Sequence, residues 1–165
     1  MPVRVQTEEF DVAAELRTLK NGTTGAGAAV TFSGFVRDDG GLAALELEHY
    51  PGMAEQALET ICTAALGRWP LSSALIIHRV GRLMPGDTIM MVATLAPHRA
   101  VAFNAAEFLM DYLKSHAPFW KKEHFRNGES RWVNARVSDE LALARWGDAP
   151  CPSRRTLRWP GRRPV

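Results

Sequence analysis

Two lysines, Lys114 and Lys121, lie on either side of Pro118 in the run DYLKSHAPFWKKE. Proline lacks an N–H and its ring clashes with the preceding turn, so it forbids an unbroken helix here. We therefore expect Lys114 in the last turn of a helix and Lys121 beyond a fixed bend. Phe119 and Trp120 predict walls that exclude water, and a shielded lysine near a second cation acts readily as a base or nucleophile. The alternative is a helix C-terminus whose exposed cations simply suit the helix dipole.

A second set of residues suits an anion. Arg37 follows an alternating apolar stretch and stands beside the turn-forming sequence DDGG at 38–41. His98 and Arg99 follow Pro97 at the expected start of a helix, where backbone N–H groups and an arginine together favour a negative charge. The alternatives are a surface arginine and a first-turn pair without a role.

Metal and thiol chemistry are poorly supported. The chain has four histidines outside the expected helix start, at His49, His78, His116 and His124. None of them forms the HxH or HxxxH spacing of a zinc site. The two cysteines form no CxxC pair; Cys62 falls on an apolar helix face, and Cys151 lies in a Pro/Arg-rich tail. We predict no metal site and no cofactor, and a buried, inert Cys62.

The length of 165 residues and the 46% hydrophobic content predict one domain with a real core. No apolar run approaches the roughly 20 residues that span a bilayer. The N-terminus soon meets Glu8, Glu9 and Asp11, which is unlike a signal peptide. We expect a cytoplasmic protein without a membrane segment.

Charge is distributed unevenly between residues 1–146 and the tail at 147–165. The tail holds five arginines against Asp148, a net charge of +4, which leaves −2 for the remainder of a chain whose total is +2. The body therefore has no overall basic surface for nucleic acid. We predict a domain at 1–146 followed by a basic Pro/Arg-rich tail.

Periodicity predicts an α+β domain in which antiparallel strands pack against helices. The spacing predicts helices at about 11–20, 53–68 and from 98 into the lysine run. The apolar face of the last helix carries Ala102, Ala105, Ala106, Leu109 and Leu113. Strands are predicted at 28–37, 44–50, 75–79, 88–96 and 131–136. The short connection between the first two of these strands predicts a hairpin.

Several separated segments, in one order, resemble a single family. Besides DYLKSHAPFWKKE they are VTFSGFVRDDG at 30–40, LELEHYPGMAEQAL at 45–58, RWPL at 68–71, IHRVGRLMPGD at 77–87 and PHRAVAF at 97–103. Together they resemble the MoaE family, the large (catalytic) subunits of molybdopterin synthase. The resemblance runs from about Gly27 to Trp146 and leaves the tail uncovered.

The resemblance implies an α/β-hammerhead fold and a homodimer within a heterotetramer. It implies a sulfurtransferase that moves sulfur from the thiocarboxylated Gly-Gly C-terminus of a small ubiquitin-like subunit to cyclic pyranopterin monophosphate. Lys114 and Lys121 match the essential lysines. The implied substrate-binding residues are Phe35, Val36, Arg37, His98, Arg99, Lys122 and Glu123, with Arg136 contributed by the other copy of the dimer.

Two departures and two alternatives accompany this interpretation. Phe35 stands where many relatives carry a lysine, and the 38–41 loop looks shortened. A scaffold that binds a ubiquitin-like partner without turnover is the first alternative. A nucleic-acid binder that works through the 147–165 tail is the second, and it predicts steeply salt-dependent binding.

Overall fold

The computed structural model describes residues 2–133 and 142–147 of the chain. These residues include three α-helices, eight strands and a short 3-10 helix (Ala144–Trp146), and they form the α+β architecture that the sequence predicts. The helices are α1 (Val12–Lys20), α2 (Met53–Arg68) and α3 (Arg99–His116). The strands are β1 (Val3–Gln6), β2 (Ala28–Phe35), β3 (Leu42–His49), β4 (Ser73–Arg79), β5 (Gly81–Leu83), β6 (Thr88–Ala96), β7 (Phe119–Phe125) and β8 (Ser130–Val133).

The first sheet has the strand order β1-β4-β6-β2 and is packed on both faces. β1 runs parallel to β4, and the other two pairs are antiparallel. Because side chains alternate along a strand, Ile76 and Val92 enter the main core with α2 and α3, whereas Ile77 and Met91 meet α1 on the opposite face. Burial on both faces explains why β4 and β6 are nearly continuous apolar runs.

The second sheet, β5-β3-β7-β8, is antiparallel throughout. Its inner face contributes Leu45, Leu47 and Leu83 to a smaller core that also contains Val36 and Leu42. β7 runs through the middle of this sheet, with β3 on one side and β8 on the other. Two neighbouring strands therefore fix the register of the lysines that β7 carries.

The predicted hairpin of the strands at 28–37 and 44–50 is wrong. β2 pairs along its length with β6, and β3 pairs with β5 and β7, so residues 36–41 carry the chain from the first sheet to the second. Val36 anchors this crossing: its N–H donates to the carbonyl of Asp87 (2.9 Å) and its carbonyl accepts from the N–H of Gly86 (2.8 Å). Pairing with distant strands outweighs the closeness of the two strands in sequence.

Local signals predicted the helices well. The Asp11 carboxylate accepts from the N–H groups of Ala13 and Ala14 (2.8 and 3.1 Å), so it caps the helix that the spacing predicts from about residue 11. α3 ends at His116, two residues before Pro118, and its predicted apolar face is buried. Within the described residues, no helix is long and apolar enough to cross a membrane.

Candidate functional site

The two lysines that the sequence predicts to be reactive lie at the end of α3 and near the start of β7. Lys114 lies in the last turn of α3, and Lys121 is the third residue of β7. This confirms the predicted placement on either side of the Pro118 bend. Both side chains are exposed in the single chain, so the expected exclusion of water is not a property of the isolated subunit.

Phe119 and Trp120 do not form aromatic walls around a single lysine as predicted, because the segment that carries them is a strand. Residues 119–125 form β7, a strand that was not predicted from the sequence, and successive side chains of a strand point to opposite faces. Phe119 and Lys121 therefore share one face, whereas Trp120 and Lys122 share the other. Trp120 packs edge-on against Tyr50, with ring centroids 5.1 Å apart.

His78 lies beneath the Phe119 side of β7 and is almost completely buried, with 2% of its surface exposed. Its ring stacks on Phe119 with centroids 3.9 Å apart and planes 8° apart. Its Nδ1 is 2.8 Å from the carbonyl of Arg79. Burial is the main reason that the pKa of His78 is lowered to about 4; the Arg79 contact opposes this, and the charges of Lys121 and His49 add to it. This imidazole is therefore neutral at physiological pH.

The sequence presents His78 only as a candidate metal ligand and does not predict its contact with Phe119. The available signal was a polar residue at the end of the apolar strand β4. Within the described residues, no group of three or more His, Cys, Asp or Glu side chains is placed to hold a metal ion. Cys62 is buried as predicted, and burial raises the pKa of its thiol to about 11. Cys151 lies outside the described residues.

Cross-strand contacts hold the next two residues of β7. The ammonium of Lys122 lies 5.5 Å from the ring centroid of Trp132 on β8. The Glu123 carboxylate accepts a hydrogen bond from the Arg131 side chain at 2.7 Å. The edge strand β8 thus sets the orientation of this predicted binding segment. Arg136 lies outside the described residues.

The N-terminus of α3 forms a second locus. His98 occupies the N-cap position, Arg99 is the first helical residue, and both are exposed. The His98 side chain makes no capping bond, and the first turn contains no acidic residue. Free N–H groups, the helix dipole and an adjacent guanidinium together favour an anion here.

Gly27 fixes the turn that leads into this helix. Its N–H donates to the carbonyl of Ala96 at 3.0 Å. A Cβ at Gly27 would lie 2.4 Å from the carbonyl oxygen of Pro97, a separation that real Cβ atoms essentially never show. The sequence does not predict this role for Gly27, since a close approach between distant backbones leaves no local signal.

The crossing between the sheets holds the other predicted binding residues. Phe35 ends β2 beside an irregularity in its pairing with β6 and is 56% exposed, whereas Val36 is buried in the smaller core. The guanidinium of Arg37 forms an exposed ion pair with Asp39 at 2.9 Å. The Asp38 carboxylate instead organises the loop, and its hydrogen bond with Arg126 is the main cause of its lowered pKa.

A family model described as "MoaE protein" matches residues 5–116, which is more than half of the chain. The chain belongs to the MoaE family. The matched range includes the α3 N-terminus and Lys114 but ends before β7. The family resemblance found in the separated motifs is thus confirmed.

Individual relatives extend the match beyond the range of the MoaE model. The molybdopterin synthase catalytic subunit of Cereibacter sphaeroides is 59% identical over 147 residues, which cover 88% of this chain and 100% of the relative. The MoaE protein of Burkholderia ambifaria has a solved structure with 55% identity and a TM-score of 0.77, covering 88% of this chain and 97% of its own. Molybdopterin synthase from Staphylococcus aureus gives 31% identity, a TM-score of 0.72 and coverage of 79% and 95%.

The described C-terminal residues also pack onto this MoaE fold. The ring of Trp146 lies edge-on to Trp69 and Phe108, with centroids 5.8 and 5.5 Å away. The Arg68 guanidinium donates to the Trp146 carbonyl at 2.7 Å. The packed fold therefore includes Trp146, the last residue before the predicted tail.

Proposed function

We propose that this MoaE family member is the catalytic subunit of a molybdopterin synthase. It transfers sulfur from the thiocarboxylated C-terminus of a small ubiquitin-like subunit to cyclic pyranopterin monophosphate, and it forms the dithiolene of molybdopterin. The observation that carries the proposal is the 59% identity, over a relative's full length, to a protein named as such a catalytic subunit. The two lysines at the α3–β7 junction supply the chemistry that this reaction needs.

Anion binding is assigned to the α3 N-terminus and the crossing loop. His98 and Arg99 bind the phosphate at free backbone N–H groups, and Arg37 offers a planar fork to phosphate or a pterin carbonyl. The ion pair between Arg37 and the Asp39 carboxylate is exposed, so an anionic ligand can replace this carboxylate at little cost in free energy. Val36 contributes through its anchored backbone, which positions Arg37, and Phe35 offers an exposed apolar surface.

Proton transfer is assigned to Lys114, which acts as general acid or base when the cyclic phosphate opens. Lys121 orients and activates the incoming thiocarboxylate. In the covalent alternative its neutral amine attacks the partner's carbonyl, the C–S bond breaks as the sulfur passes to the pterin, and water then cleaves the resulting amide. Lys122 and Glu123 continue the binding segment along β7. Because both central lysines are exposed in the single chain, the proposal requires the partner's C-terminal tail to exclude water from them.

The proposed assembly is a heterotetramer in which two copies of this chain form the central homodimer. Arg136 reaches the pocket of the other copy. Residues 1–146 form the synthase domain, and residues 147–165 form a basic tail to which no catalytic role is assigned. The assembly works in the cytoplasm, without a membrane or a nucleic acid.

The decisive experiment measures sulfur incorporation by the protein reconstituted with a thiocarboxylated small subunit and the cyclic pterin. Lys114→Ala and Lys121→Ala are expected to lower the rate by at least about 100-fold each, the scale of a lost general acid or base. Lys20→Ala is the matched control, since Lys20 is also an exposed lysine in the last turn of a helix. Near-parental rates in both lysine variants exclude this mechanism, and partner binding without turnover identifies the scaffold.

A further inference from the structure

His78 connects the two sheets at the start of β7. It belongs to β4 of the first sheet, whereas the Phe119 ring on which it stacks belongs to β7 of the second. Among the described residues, His78 and Thr94 are the buried polar side chains. The Thr94 hydroxyl is used within the fold, because it donates to the Ala102 carbonyl of α3 at 2.8 Å.

Two contacts fix the imidazole. Its Nδ1 meets the Arg79 carbonyl at 2.8 Å, and its face covers Phe119 at a centroid separation of 3.9 Å. Arg79 is itself held, since its guanidinium donates to the carbonyls of Thr7 and Thr88 at 3.2 and 3.1 Å. The ring therefore presents a rigid plane, supported by the first sheet, to a residue of the second.

Lys121 follows Phe119 on the same face of β7. Its charge acts on His78, as does that of His49 on β3, whose ring lies 6.3 Å from that of Phe119. Because the His78 ring is neutral, it adds no buried positive charge that would repel the ammonium of Lys121. A phenylalanine at position 78 would keep both the stack on Phe119 and the neutral charge, but it would lose the hydrogen bond to the Arg79 carbonyl. The stack and the hydrogen bond can therefore be tested separately.

We propose that His78 is a positioning residue for Lys121: its ring holds Phe119 between the two sheets and thereby sets the direction in which the lysine amine leaves β7. This inference rests on the role proposed above for Lys121. His78 does not contact substrate in this account. It acts through the strand that carries the reactive amine.

Two variants separate the ring from its hydrogen bond. His78→Phe keeps the stack and the neutral charge, whereas His78→Asn keeps an N–H close to the position of Nδ1 and loses the stack. We expect His78→Asn to lower kcat by about tenfold or more, because misplacement of a catalytic group by about 1 Å is costly. KM for the cyclic pterin stays within about threefold, because its proposed anion site lies on other elements. His78→Phe restores kcat to within about threefold of the parent.

A second readout does not depend on sulfur transfer. The rate of reductive methylation of Lys121, measured by peptide mass spectrometry against Lys20 in the same folded molecule, reports the accessibility and basicity of the amine. We expect this ratio to change severalfold in His78→Asn and to remain parental in His78→Phe. Equal kcat and equal labelling ratios in both variants overturn the inference. If the parent transfers no sulfur, the proposed function fails, and the labelling ratio alone still decides the positioning role.

Discussion

The indole Nε1 of Trp146 donates a hydrogen bond to the carboxylate of Asp111 at 2.7 Å. The same carboxylate oxygen accepts from the Arg145 guanidinium at 2.6 Å. Asp111 lies on α3, less than one turn before Lys114. Arg145 and Trp146 thus stabilise the part of α3 that carries Lys114, a proposed catalytic residue.

Replacement of Asp111 by Ala is expected to destabilise the fold by about 1–3 kcal/mol, the usual effect of leaving a partly buried donor without its acceptor. Glu107→Ala is the control, since it removes only the more exposed ion pair of Arg145 and is expected to cost less than about 1 kcal/mol. Urea unfolding of the two variants measures the difference. Equal destabilisation would show that the indole bond contributes nothing.

Gly27→Ala is expected to displace the turn before α3, because the added Cβ meets the backbone oxygen of Pro97 at 2.4 Å. The proposed anion site at His98 and Arg99 is expected to move with that turn, which raises KM for the cyclic pterin by about tenfold. Gly25→Ala is the matched control, since nothing lies within 4 Å of its Cβ. Steady-state kinetics of both variants test this, and an unchanged KM in Gly27→Ala contradicts it.

Asp39→Asn is expected to improve binding of the anionic substrate. The substitution releases the guanidinium of Arg37 from its exposed ion pair with Asp39. Exposed ion pairs contribute at most about 1 kcal/mol, so KM is expected to fall by up to about fivefold. Arg37→Ala combined with Asp39→Asn isolates the cause, because the gain disappears when the arginine is absent. A raised KM in the single variant would assign Asp39 itself to substrate binding.

His78 makes stability depend on pH. The unfolded chain protonates this imidazole near pH 6.5 and the folded protein only near pH 4, so the unfolded state binds more protons between these values. Stability contributed by the neutral ring is therefore full above pH 6.5 and is lost as the pH falls towards 4, by about 2 kcal/mol at pH 5. In His78→Phe, the loss of unfolding free energy between pH 7 and pH 5 shrinks by about this amount. Identical losses in parent and variant would contradict it.

Local physics explains what the sequence predicted. The helix α2 and the strand β6 were predicted with the bounds that the structure shows, Met53–Arg68 and Thr88–Ala96, because their apolar spacing and flanking Pro-Gly sequences are local signals. The bend at Pro118 is local as well. The placement of Lys114 in the last turn of a helix and of Lys121 beyond the bend followed from these signals alone.

Non-local contacts explain what the sequence did not predict. The segment Phe119–Phe125 has two adjacent aromatics and three adjacent charged residues, which break the alternation typical of a strand. It becomes β7 because β3 and β8 pair with it from both sides. The stack of His78 on Phe119 and the approach of Gly27 to Pro97 likewise join residues about 40 and 70 positions apart, which no window along the sequence samples.

The anchoring of Val36 between Gly86 and Asp87 restricts what Arg37 can do. The Arg37 backbone follows a residue held by two hydrogen bonds, so its guanidinium moves mainly through its own side-chain torsions. In the proposed function, Arg37 therefore binds only a phosphate or pterin carbonyl that comes within reach of that side chain.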